Sequence, residues 1–360
     1  MAAPAPATKH GPKVVALGGG HGLAATLAAL RQVTDQLTAI VTVADDGGSS
    51  GRLRDEYPEL LPPGDLRMAL AALAGDDDDG RLWSEVLQHR FPGTGPLGGH
   101  AVGNLLMAGL LDVLGDPVLA LDEAGRLIGS CGRVLPMATT PLEIVADVTD
   151  LSAPGGVRTV RGQGKVAVST GVLRVAIEPP DPPACPEALA AVLAADLVVL
   201  GPGSWFTSVL PHLLVPELAA ALRATPARRV LVLNIAAEAG ETADFSPQEH
   251  LEVLLGYAPG LRVDVVLANE GTAGDRDGLL HGARTLGAEL VLAPVAVDDG
   301  SPRHDPGRLA GAFREVLAVR HDRPEHDDSH TSEDHTRDGH TSDRGDTQDI
   351  SSTGGHRAWR

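Results

Sequence analysis

Residues 43–70 read VADDGGSSGRLRDEYPELLPPGDLRMAL. The apolar β-type run LTAIVTV (37–43) leads into this stretch and ends at a pair of carboxylates, Asp45 and Asp46. A loop, Gly47-Gly48-Ser49-Ser50-Gly51-Arg52, is expected next, and Pro62-Pro63-Gly64-Asp65 then opens a helix. One connection therefore carries carboxylates for a cation, backbone N–H groups for a phosphate and an arginine for leftover charge. That set suits a phosphorylated or nucleotide ligand; a bare turn needs only part of it.

Upstream, KVVAL (13–17) is a short continuous apolar run of buried-strand type. It breaks at Gly18-Gly19-Gly20-His21-Gly22 and resumes as the helical pattern LAATLAALRQV. Strand, glycine turn, helix and strand make a βαβ unit, which predicts a parallel sheet with a right-handed crossover. Gly20–Ala25 fits G-x-G-x-x-A, with Asp45 at about the distance of a ribose-binding acid. A tight turn without a ligand gives the same pattern. Asp65 is placed either to cap its helix or to hold a metal. The run Asp76–Asp79 reads as a solvated loop, because four adjacent carboxylates make a poor cage.

Downstream, Phe91–Gly99 (FPGTGPLGG) is a glycine-rich connection before the apolar helix LLMAGLLDVLG. His100 and Asn104 lie four residues apart at its start and share a face, near a helix end that favours anions. His100 is the one candidate for moving a proton; packing beside glycine is the plainer alternative. Residues 126–178 change texture to short, glycine-punctuated strands, expected as hairpins inserted into an α/β core. After the proline-rich joint PPDPPACP, the strand–turn–helix logic returns. DLVVL ends at Gly201-Pro202-Gly203-Ser204, RRVLVLNI at Asn234 and VDVVLANE at Asn269. In open parallel sheets ligands sit beyond the carboxyl ends of strands, so these positions are expected to converge with Gly18–Gly22 and Asp45. For Asn234 and Asn269 a local turn or cap is the competing role.

The fold class expected is thus α/β, a Rossmann-like, doubly wound, mostly parallel sheet with a β-rich insertion at 126–178 inside a domain spanning 13–320. Residues 1–12 read as a disordered arm. Residues 321–360, polar and rich in His, Asp, Ser and Thr, read as a disordered tail. The formal net charge of −19 argues against nucleic acid as the partner. Two cysteines, Cys131 and Cys185, give neither a disulfide framework nor a CxxC metal site. The start of the chain lacks the apolar segment of a signal peptide, and no apolar run spans a bilayer, so a cytoplasmic location is expected. Ser204 follows GPG rather than a G-x-S-x-G elbow, and Gly18–Gly22 lacks the lysine of a P-loop.

Taken in order, GGGHGL (18–23), TVADDGGSSGRLR (42–54), PPGDLRMAL (62–70), GHAVGNLL (99–106), GPGSWFTSVLPHLLV (201–215) and RHDP (303–306) resemble the YvcK-type gluconeogenesis factors. These are similar to the 2-phospho-L-lactate transferase (CofD) family, and the resemblance covers about residues 13–318. It implies a CofD-like fold and a site for a nucleotide sugar, UDP-N-acetylglucosamine in the YvcK branch. It also implies a cytoplasmic role in morphogenesis and envelope metabolism on gluconeogenic carbon sources, without established catalysis. A homodimer and a cell-wall synthesis protein are the partners to be expected. On this reading Gly18, Gly19, Gly20, His21, Gly22, Gly47, Gly48, Ser49, Ser50, Asn104, Gly201, Gly203 and Ser204 form the ligand site. Arg52 and Arg303 neutralise the diphosphate, and Asn234 contacts base or sugar. The transferase branch holds a divalent metal on carboxylates matching Asp45, Asp46 and Asp65, so Mg²⁺ is the cofactor to test. The alternative is accordingly a Mg²⁺-dependent transferase using a nucleotide-activated phosphodiester donor. His21 stands where the glycine turn of the family carries threonine, which implies altered affinity, since backbone N–H groups still cradle an anion. A dinucleotide-dependent oxidoreductase rests only on the glycine turn and Asp45, with no hydride-transfer apparatus beside them.

Overall fold

The structure, a computed structural model, describes residues 11–243, 245–272 and 276–319. The tail reading and nearly all of the arm reading lie outside these residues. Among the described residues there are ten strands: β1 (Lys13–Gly18), β2 (Gln36–Val41), β3 (Arg133–Pro136), β4 (Glu143–Thr149), β5 (Val157–Arg161), β6 (Val172–Glu178), β7 (Leu197–Leu200), β8 (Arg228–Val232), β9 (Val265–Asn269) and β10 (Glu289–Ala293). Seven form one sheet in the order β10-β9-β8-β7-β1-β2-β3, and every pairing in it is parallel. Every residue of β7 and β9 is buried, as continuous apolar strands must be when both sheet faces are covered. β1 is likewise buried from Val14 to Gly18. Strand order reverses between β1 and β7, and it is beyond the carboxyl ends of strands at such a position that open α/β sheets bind their ligands. The fold is the expected Rossmann-like one.

β4, β5 and β6 make a separate antiparallel sheet in the order β5-β4-β6. In β4 the buried residues alternate, Ile144, Ala146 and Val148 facing the core, so this sheet has one covered face. The β-rich segment starts later than expected. Leu127 ends the helix Pro117–Leu127, and Arg133–Pro136 is no hairpin strand but the parallel edge of the main sheet, paired with β2. Its residues Val134 to Pro136 are buried, which an edge hairpin would not require. Within VRTVRGQGKVAV only Val157–Arg161 is strand, and Gln163–Ala167 forms a single helical turn.

A second correction concerns Gly47–Arg52. The predicted loop is the start of a helix, Gly48–Glu56, whose turn needs φ +45° at Gly48. Among the described residues no helix is long and apolar enough to cross a membrane.

Candidate functional site

Two glycine turns meet at the reversal point. Gly18 ends β1, and Gly20, at φ +56°, starts the helix Gly20–Leu30. A Cβ on Gly22 would lie 2.3 Å from the Pro202 carbonyl oxygen and 2.7 Å from Gly203 Cα, so only glycine lets the turns touch. Thr26 Oγ1 reinforces the contact, donating to Gly22 O at 3.1 Å and reaching Gly201 O at 3.5 Å. His21 is exposed in the first helical turn.

Asn234 braces the second glycine turn. Its Oδ1 accepts from Gly203 N–H at 2.8 Å and its Nδ2 donates to Gly203 C=O at 2.9 Å. Both ends of the amide are used to fix the Gly201–Ser204 turn, whose Gly203 sits at φ +134°. Asn269 is also structural: Oδ1 accepts from Val295 and Ala296 N–H groups, tying β9 to the segment after β10.

The connection after β2 builds the second wall. The helix Gly48–Glu56 begins where β2 and its extension end, and Ser49 and Ser50 are buried in its first turn. Ser49 Oγ is 2.9 Å from His100 Nδ1, and Asn104 Nδ2 donates to Ser50 Oγ at 3.3 Å. Asn104 Oδ1 in turn accepts from Arg67 Nε at 2.9 Å. His100 lies before the helix Val102–Leu114, whose N-cap is Ala101, so the expected helical face does not pair it with Asn104; the two instead reach the adjacent serines separately. Burial, with help from Arg52, lowers the His100 pKa below its ordinary value. The imidazole is therefore neutral near pH 7, able to accept a proton. Arg52 itself leans on the Phe91–Gly99 connection through Pro96 O at 3.4 Å.

Asp65 is not the cap of its helix. Pro62 holds that position, Asp65 lies within the first turn of Pro63–Leu73, and its carboxyl faces the Gly20 N–H. Burial above all, and then the neighbouring Asp45 charge, push its pKa up to about 7. Its Oδ2 is buried without a hydrogen-bond partner. Asp45 lies close by: a Cβ on Gly64 would come within 1.9 Å of Asp45 Oδ2. Asp46 points elsewhere, its Oδ1 accepting from Gly164 N–H of the insertion at 2.7 Å. Among the described residues no three His, Cys, Asp or Glu side chains come together as a metal cluster. Asp45 and Asp65 fit a hard cation that takes one or two carboxylates and keeps water, and the orphaned Asp65 oxygen is what such an ion would satisfy. Asp46 does not join them.

Arg303 is engaged within its own loop. Asp299 pairs with it at 2.7 Å and Ser301 Oγ accepts from its Nε at 2.9 Å, within one exposed loop after β10. Three of the Asp76–Asp79 carboxylates are engaged: Asp76 pairs with Arg31, Asp77 caps the helix Asp78–Gln88 and Asp78 pairs with Arg81.

Sequence reasoning missed Glu238 and Glu241. The Ser204 hydroxyl, which accepts from Thr207 Oγ1 at 2.6 Å, lies alongside both carboxylates. Glu241 is 2% exposed and accepts from Phe206 N–H at 3.0 Å; burial raises its pKa to about 7, and Glu238 adds to the shift. These acids follow β8 in an irregular segment without a motif. The only hint available was their place after the end of a parallel strand.

Comparison with known proteins identifies relatives of this chain. The family described as 2-phospho-L-lactate transferase CofD matches residues 14–289. A Mycobacterium tuberculosis relative is 58% identical over 310 residues, covering 85% of this chain and 90% of its own. The gluconeogenesis factor of Bacillus subtilis is 37% identical over 320 residues, 85% of this chain and 98% of its own. A crystal structure of a UPF0052-family protein from Bacillus halodurans superposes with a TM-score of 0.73 at 32% identity, covering 84% of this chain and 98% of that one.

Proposed function

The chain belongs to the CofD/YvcK family, and from that premise we propose that it is a cytoplasmic nucleotide-sugar-binding regulatory protein, a gluconeogenesis factor acting in cell-envelope homeostasis. The observation that carries this reading is the contact of the Gly18–Gly22 and Gly201–Ser204 turns at the reversal of strand order. There the diphosphate of a ligand such as UDP-N-acetylglucosamine meets backbone N–H groups at the start of the helix Gly20–Leu30. Asn234 presets the second turn, so less ordering is left to the ligand. Arg52 supplies positive charge from the adjoining wall. Arg303 acts only after exchanging Asp299 for the diphosphate, which couples its loop to occupancy. Occupancy then shifts the population presented to a cell-wall synthesis partner or to the second copy in a dimer.

The test is calorimetric titration of the full chain with UDP-N-acetylglucosamine, NAD and GDP, with and without Mg²⁺, beside Arg303→Ala. Selective UDP-sugar binding, weakened by the substitution and leaving the ligand intact on chromatography, supports the reading. GDP binding that requires metal, with no UDP-sugar signal, overturns it. In cells, deletion should impair shape and growth on gluconeogenic carbon sources more than on glucose.

A second reading, a Mg²⁺-dependent transferase, is favoured by the Asp45–Asp65 approach and the Ser49–His100 contact. When bound, the cation would supply charge neutralisation for a transferring phosphoryl group. Neutral His100 would accept a proton from an acceptor hydroxyl, and the buried wall formed by Ser49, Ser50 and Asn104 would exclude water. Nucleotide release that needs both Mg²⁺ and an acceptor would establish this chemistry.

A further inference from the structure

The helix Val102–Leu114 is apolar almost all round: VGNLLMAGLLDVL carries one charged residue, Asp112. Such a helix belongs in an interior, yet only Gly103, Asn104 and Met107 are buried in it. Between it and the helix Gly48–Glu56, with the turn after that helix, lies a groove of about 560 Å³. Leu53, Leu60 and Leu61 line it from one element, and Leu105, Ala108 and Leu111 from the other. Gly109 lines it too, and a Cβ there would meet nothing within 4 Å, so the groove is open at that point. Glu56, Glu59 and Asp112 belong to the same lining; all three are exposed, and no basic residue joins them. We propose that this groove docks a basic amphipathic helix of a partner protein, its apolar face against the leucines and its Lys or Arg side chains against Glu56, Glu59 and Asp112.

The shape suits a helix. Leu105, Ala108 and Asp112 recur at three- and four-residue spacing, so one face of Val102–Leu114 runs along the groove. Grooves of this kind take apolar anchors at i, i+3, i+4 and i+7 of a partner helix. The charges then choose among occupants. In a two-fold contact with a second copy of this chain the groove meets itself, which sets Glu56, Glu59 and Asp112 against the same carboxylates. Like charges brought together in an interface cost affinity. An anionic lipid surface meets the same repulsion, reinforced by the net charge of −19. A basic partner turns the repulsion into attraction: the acids steer the encounter, and the buried apolar contacts set how long the complex lasts.

The test uses the full chain and a fluorescent peptide of about 18 residues, five helical turns, built only from leucine and lysine with leucine at the anchor spacing. Two controls keep its length: one has glutamate for lysine, the other the same residues in an order that forms no apolar face. Fluorescence anisotropy is expected to show binding of the Leu/Lys helix and of neither control. Gly109→Leu fills the groove from an open position and replaces a poor helix former, so it should melt at or above the wild-type temperature. The same variant should weaken peptide binding about tenfold or more. Glu59→Lys combined with Asp112→Lys should weaken it as well and flatten its dependence on salt. If wild type does not bind the Leu/Lys helix, the proposal falls. If the reordered peptide binds as tightly, or Gly109→Leu changes nothing, the attraction is that of any acidic protein for a basic chain, and the proposal falls too. A wild-type dimer in sedimentation that Gly109→Leu splits would assign the groove to a second copy. Binding to anionic vesicles that Gly109→Leu abolishes would assign it to a membrane; either result overturns the partner helix.

Discussion

Asp65→Asn should stabilise the metal-free protein while damaging its site. Burial and the Asp45 charge hold the Asp65 pKa at about 7, against an ordinary value of 3.8. Below 3.8 both folded and unfolded chains keep the proton, and the group is neutral to stability. Between 3.8 and 7 the folded state keeps a proton that the unfolded chain releases, so stability declines as pH rises, and the loss is complete above 7. A shift of about three units at ~1.4 kcal/mol each puts that loss near 4 kcal/mol as an upper bound. Asparagine imitates the protonated carboxyl and keeps an oxygen for the Gly20 N–H, so it escapes the penalty. Urea denaturation in a chelator should show the variant more stable by about 2–4 kcal/mol at pH 8, with the gap narrowing steadily toward pH 4. Adding Mg²⁺ should raise the wild-type midpoint and leave that of the variant unmoved. An Asp65→Asn protein less stable than wild type at pH 8 in chelator would refute the reasoning, because the carboxylate charge would then be compensated within the apo fold.

Gly22→Ala places a methyl against Pro202 O and Gly203 Cα, backbone atoms that cannot rotate away, so a cost of about 1–3 kcal/mol is expected in thermal melts, with loss of ligand binding. Asn234→Ala strands both polar groups of Gly203; it should lose about 2 kcal/mol in denaturant titrations and weaken ligand binding without touching the ligand. His212 is fully buried with Nε2 on Ile40 O, and burial lowers its pKa to about 4. The unfolded chain takes a proton near 6.5 that the folded chain refuses, so stability should fall from pH 6.5 toward 4, by up to about 3 kcal/mol. His212→Gln should flatten that slope when denaturation midpoints are compared at pH 7.5 and 4.5.

Much of the fold was legible because its signals are local. KVVAL and DLVVL are too continuously apolar for a one-faced sheet, and each breaks at glycines that permit a turn into a helix. Those features alone require parallel strands covered on both faces, with the turns at their carboxyl ends. The approach of His100 and Asn104 to neighbouring serines was not readable from helical spacing, because the helix starts only at Val102 and His100 lies before it. Arg133–Pro136 was misread because so short a strand looks alike in a hairpin and at a parallel edge; its partner, β2, lies about a hundred residues away. The Gly47–Arg52 segment was misread because glycine and serine are poor helix formers, and tertiary burial of Ser49 and Ser50 overrode that preference.

The sequence by itself determined which residues could be strands, where they must turn, and which side chains carry charge or a polar amide to those turns. Only the tertiary structure decided what these side chains face. It turned Asn234 inward to hold Gly203, sent Asp46 to the insertion and left Asp45 beside Asp65. It also brought Gln163 and Glu241 to turns built far from them in the chain. The physical reason is range. Backbone sterics and helical or strand periodicity act over a few residues, whereas strand order, burial and the electrostatics that follow from burial depend on contacts between segments far apart in the chain.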